Sequence, residues 1–180
     1  MNKVILFLLL VSSLFADAKL YLGANYGLFD ESFNGETSAY TSSGIATFKI
    51  GYAQRETYGI EFSLDYTKSK SDIFSNDDGD RYGLNVDLLK AFDYDIYVLP
   101  YIKGGMGAGF FNIDRTTDDK LYYGSFNIGG GMFIPLNDNF DFELGYEYRY
   151  TSFESINLIS EKLSYTSNIG RAYFGFNVRY

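Results

Sequence analysis

Histidine and cysteine are both missing from the chain, and proline occurs only twice. Without cysteine no disulfide staples the fold, so an exported chain of this composition is held by its backbone hydrogen bonds and its packing. With neither residue a zinc centre has lost its usual ligands, and general-base catalysis near neutral pH has lost its usual group. Two prolines leave few interruptions for extended strands. A net charge of −8 offers no electrostatic footprint for nucleic acid, which is excluded as a partner. Beyond residue 18 no apolar run approaches the roughly 18 to 20 residues of a membrane-crossing helix, and no linker, low-complexity tail or repeat longer than a hairpin interrupts the chain.

Aromatic residues are abundant instead: 18 Tyr and 17 Phe, with 19 Gly, suit many strands better than many helices. Residues 1–18 read as an export signal. Lys3 supplies the positive end, Val4 to Val11 the apolar run, and Ala16-Asp17-Ala18 the small-x-small cleavage site. A membrane anchor would need a run of about 20 residues, which this segment lacks. The expected mature chain is one domain over residues 19–180, and losing one Lys and one Asp with the leader leaves its charge unchanged.

Period-2 alternation recurs through that domain. Tyr58, Ile60, Phe62, Leu64 and Tyr66 share one face against Gly59, Glu61, Ser63, Asp65 and Thr67. The same template gives eight strands, at about 20–28, 44–53, 58–68, 81–89, 96–111, 121–134, 140–150 and 167–180. Connections 29–43, 69–80, 112–120 and 151–166 are long and polar, whereas 54–57, 90–95 and 135–139 are short. Alternation of long and short connections is the rhythm of an all-β, eight-stranded antiparallel up-and-down transmembrane β-barrel with both termini on the short-turn side.

Alternation alone leaves open which face is outside, since a soluble lipocalin-like ligand-binding barrel would hide Phe62 and Leu64 and show Glu61 and Asp65 to water. Three features favour the membrane arrangement. Tyrosines bracket the aliphatic residues as interfacial anchors do. The polar face carries both signs, with Lys49, Lys103, Arg149, Arg171 and Arg179 against Glu61, Asp65, Asp87, Glu143 and Glu147, as a narrow lumen requires. Gly105, Gly107 and Gly109 relieve crowding inside.

Three stretches carry a family resemblance. The chain ends with Ala172, Phe174, Phe176, Val178 and Tyr180 on one face, Pro100-Tyr101 precedes Gly104-Gly105-Met106-Gly107, and Glu143-Leu144-Gly145-Tyr146-Glu147-Tyr148-Arg149-Tyr150 alternates throughout. In these the chain resembles the small eight-stranded outer-membrane barrels of the OmpA/OmpX type, the porin-like group. The resemblance implies the outer membrane of a Gram-negative bacterium, with outer-membrane lipid and lipopolysaccharide as surroundings. It implies the barrel-assembly machinery as a partner that reads Ala172, Phe174, Phe176, Val178 and Tyr180. The peptidoglycan-binding domain that longer relatives append is not expected here.

Barrel enzymes of that membrane resemble one another in using a histidine base, so no enzyme, cofactor or catalytic residue is expected. Glu61 and Asp65, or Glu143 and Glu147, stand about 13 Å apart along a strand at 3.3 Å per residue, loose for a glycosidase pair. The acidic segment Asn76-Asp77-Asp78-Gly79-Asp80 fails calcium-loop spacing, with Phe74 in the place of the first ligand; Asp72, Asp77, Asp78 and Asp80 read as a solvated loop. The expected role is structural or surface-interacting through external loops, where Phe33, Tyr40, Phe74 and Phe153 either contact a ligand outside the cell or cap the barrel. A narrow ion-conducting channel is the alternative.

Overall fold

The computed structural model describes residues 18–34, 39–54, 57–68, 79–113, 120–157, 162–163 and 165–180. The expected leader falls outside them except for Ala18, as do Asp72, Phe74, Asp77 and Asp78. Eight long strands form the body: β1 (Lys19–Asn34), β2 (Ala39–Ala53), β3 (Tyr58–Lys68), β4 (Asp80–Ala91), β5 (Leu99–Asn112), β6 (Lys120–Pro135), β7 (Phe140–Phe153) and β10 (Thr166–Arg179). They pair antiparallel in the closed order β1-β10-β7-β6-β5-β4-β3-β2, so no edge remains unpaired. A two-residue ladder of β8 (Ile156–Asn157) and β9 (Lys162–Leu163) sits in the last long connection.

Register defines the barrel. Tyr21 opposes Gly51, then Glu61, Asp87, Gly105, Asn127, Arg149 and Ile169 follow, and the path re-enters β1 at Glu31. One circuit climbs ten residues, a shear that with eight strands gives a tilt of about 41° and a radius of about 8 Å. Every registered pair joins two odd or two even numbers. Buried side chains are consequently odd-numbered on all eight strands, and the exposed apolar ones of those strands are even-numbered.

This settles the orientation of the faces. Phe62 is 45% and Leu64 57% exposed, while Glu61 and Asp65 are 2% and 5% exposed. The soluble-barrel alternative, which needs the reverse, is excluded. The closing strand follows the same rule: Ala172, Phe174, Phe176 and Tyr180 face outward, Val178 is half-buried, and Arg171, Tyr173, Asn177 and Arg179 are inside. It zips to β1 along Tyr21 to Asn34, and the Tyr180 amide donates to the Leu20 carbonyl at 3.0 Å.

Strand ends differ from the sequence expectation at the long-connection side. Residues 29–43 were expected to be one loop, but β1 runs to Asn34 and β2 starts at Ala39. The cause is a reversal of polarity toward that end of the strand. Outward positions there become polar, as at Asp30, Ser32 and Asn34, while inward Phe29 and Phe33 become apolar, so the strand continues after its lipid-facing signature stops. At the opposite end β5 begins at Leu99, not at Ile96. Ile96 and Tyr97 are exposed in a turn that Asp95 enters at φ 56°, its amide bonded to the Asp93 carboxylate at 2.9 Å. A short acidic side chain tolerates that left-handed geometry.

Candidate functional site

The interior is stacked in three layers. Nearest the short turns, Leu89, Ala91, Leu99, Tyr101 and Phe133 form an apolar cluster, with the Tyr101 and Phe133 rings stacked at 4.5 Å. At the far end Phe33, Phe111, Ile113, Leu121, Tyr123, Phe153 and Tyr165 form another. Phe33 and Phe153, expected in a loop, therefore cap the barrel from inside, whereas Tyr40 stays exposed.

Between these clusters lies a layer of charge. Lys49 Nζ is gripped by Glu143 at 2.5 Å and Glu61 at 2.9 Å, joining β2 to β7 across the lumen. Lys103 binds Glu147 at 3.0 Å and stands 4.0 Å from both Glu61 and Asp87. Arg149 spans Asp65 at 2.8 Å and Glu147 at 2.9 Å, and Arg171 reaches the same two carboxylates at 3.3 and 3.1 Å. Arg179 pairs with Asp141 at 2.6 Å near the short turns. All ten charges singled out in the sequence are thus buried inside, and all but Arg179 share partners with one another.

Neutral donors complete the carboxylate shells. Tyr21 Oη donates to Glu61 at 2.7 Å, Tyr101 Oη to Glu143 at 2.6 Å, Thr47 to Asp65 at 2.6 Å and Asn127 to Asp87 at 2.6 Å. Burying an ion is costly unless its remaining lone pairs are filled, and these bonds fill them.

Three further lumen charges were not among those ten. Arg81 donates to Glu31 at 2.9 Å and lies 4.4 Å from the Tyr123 ring centroid, and Asp141 holds Arg179. Glu31 fell within the expected loop. Its signal was the odd-numbered phase that Phe29, Glu31 and Phe33 share with the inward residues of β1. Among the described residues seven buried carboxylates (Glu31, Glu61, Asp65, Asp87, Asp141, Glu143, Glu147) face six cations (Lys49, Arg81, Lys103, Arg149, Arg171, Arg179), a lumen close to neutral.

The fold does bring Glu61 of β3 and Glu143 of β7 together on one ammonium, which neither strand does for the carboxylates it carries itself. Apolar side chains nevertheless close both approaches to them. Among the described residues no group of three potential ligands is arranged to hold a metal ion.

Comparison with known proteins gives a consistent picture. A sequence model for the family described as "Outer membrane protein beta-barrel domain" matches residues 4–180. No curated protein matches the sequence. Among solved structures, neisserial surface protein A superimposes with a TM-score of 0.67 at 15% identity, covering 89% of this chain and 97% of its own. The N-terminal β-barrel domain of OprF from Pseudomonas aeruginosa gives 0.56 at 13%, covering 87% and 97%. Ail, the attachment invasion locus protein of Yersinia pestis, gives 0.53 at 17%, covering 89% and 98%.

Proposed function

The chain belongs to the family of outer membrane protein β-barrel domains, and from that premise we propose that it is a closed, non-catalytic barrel of the Gram-negative outer membrane, structural in itself and interacting through its external connections. The observation that carries this reading is the lumen: a paired, near-neutral charged layer sealed between two apolar clusters. A conducting path needs continuous water, and small eight-stranded barrels have interiors just wide enough for side chains to fill. No substrate reaches Glu61 or Glu143, so the acids serve as braces. Purified barrel in planar bilayers is expected to show no reproducible step conductance at 0.1 to 1 M salt; a stable unitary step would favour the channel instead.

Residues 1–18 serve as a cleaved export signal on this reading, and the aromatic face of β10 serves as the assembly signal. Phe174, Phe176 and Tyr180 point away from the lumen, yet they form an outward apolar row along and just after the strand that closes the barrel. Deleting Tyr180 is therefore expected to lower the amount assembled in the outer membrane several-fold in cells while in vitro refolding of the same variant stays normal. Equal losses in both assays would make Tyr180 an ordinary stabilising residue.

A further inference from the structure

The outer wall carries a hollow that none of the lumen residues explains. Leu84, Ala108, Gly124 and Ser152 are successive register partners on β4, β5, β6 and β7. A Cβ placed on Gly124 would meet no atom within 4 Å. Around this gap stand Met106 and Phe126 on the short-turn side and Phe110 and Tyr122 on the other, all even-numbered and outward. The depression over Ala108, Gly124 and Phe126 measures 560 Å³, and a second of 610 Å³ beside Ala46, Phe48 and Leu64 shares Leu84 and Ala108 with it. The two adjoin at Leu84 and Ala108.

Their upper rim is aromatic and carries a cation. Tyr66, Tyr82 and Phe110 run in contact at 5.3 and 5.2 Å between centroids. Lys120 Nζ sits 4.9 Å from the Phe110 centroid and, among the described residues, has no carboxylate partner. Every lumen cation, by contrast, is ion-paired.

We propose that this hollow is a binding site for a phosphorylated glycolipid of the external leaflet, with acyl chains lying over Ala108 and Gly124 and a phosphate on Lys120. The inference rests on the outer-membrane reading above. Hydrocarbon is the occupant because the hollow opens within the outward apolar band, where lipid takes the place of water. It lies in the half of the wall nearer the long connections, which is the external leaflet. Two adjoining depressions, of 610 and 560 Å³, offer room for more than one chain. The ammonium at the rim, without a carboxylate partner among the described residues, complements a phosphate, and the exposed Tyr122 ring beside it offers a flat face to a sugar.

The test is native mass spectrometry of the refolded full chain in detergent with equimolar bisphosphorylated lipid A, phosphatidylglycerol or phosphatidylcholine. Lipid A is expected to be retained about tenfold more than phosphatidylcholine, a difference of about 1.4 kcal/mol. Gly124→Phe, which fills the gap, and Lys120→Gln are each expected to reduce that preference by at least about threefold, whereas Leu28→Ala on β1 leaves it unchanged. Retention of lipid A unaffected by either substitution, or no greater than that of phosphatidylglycerol, overturns the proposal. A heat-modifiable folded band in each preparation keeps the barrel reading intact in that event, and Lys120→Gln, which leaves wall packing untouched, serves should Gly124→Phe fail to refold.

Discussion

Replacing Glu147 with Ala is expected to lower the unfolding free energy of the refolded barrel by about 3–5 kcal/mol, the range for breaking a buried ion pair from one side. Glu147 is the common partner of Lys103, Arg149 and Arg171. Its loss leaves Lys103 with carboxylates only at 4.0 Å and sets two guanidinium groups competing for Asp65. The stranded cations have no solvent to turn to, because the apolar clusters close the lumen at both ends. Urea titration in lipid vesicles, followed by tyrosine fluorescence since the chain has no tryptophan, measures the effect. Glu147→Gln is expected to cost less, because the amide oxygen still accepts hydrogen bonds. A loss below about 1 kcal/mol for Glu147→Ala, the level of an exposed pair, would show that the charged layer is solvated.

Gly105→Val is expected to prevent folding altogether. Gly105 points inward between β4 and β6, and a Cβ there would collide with the Val86 carbonyl oxygen and the Asp87 carboxylate. The first obstacle is backbone within a ladder that cannot open without leaving peptide groups unbonded in lipid, each costing several kcal/mol. The second is a carboxylate fixed by Asn127. The readout is the heat-modifiable band on a cold gel after refolding into detergent, present for the parent and absent for the variant. Recovery of a folded, heat-modifiable Gly105→Val barrel would mean that β4 and β5 separate more easily than their close approach implies.

Most of the architecture was legible because lipid enforces a strict rule. Phe62 and Leu64 must alternate with Glu61 and Asp65 if one face meets hydrocarbon and the other a packed lumen, and the strand count followed from counting such runs. The ten lumen charges were readable for the same reason. Glu31 was not, because the rule stops with the bilayer: outward Asp30 and Ser32 look like loop, and only the unbroken phase of Phe29 and Phe33 marks a strand. The partners of each charge were equally hidden. That Lys49 takes both Glu61 and Glu143 depends on the shear of the barrel, which alternation does not encode. The gap at Gly124 also lay beyond the pattern, since its size is set by neighbours on two other strands.

The pairs that cross the lumen act as a gauge of girth. Lys49 on β2 meets Glu143 on β7, and Arg171 on β10 meets Asp65 on β3, at hydrogen-bonding distance. Duplicating one hairpin would give ten strands and widen the bore by roughly 2–4 Å. Each such pair would then part by more than an ion pair tolerates, and the charged layer would flood. A chain with these side chains is in that sense committed to eight strands, and a larger relative would have to rewrite its interior before it could grow.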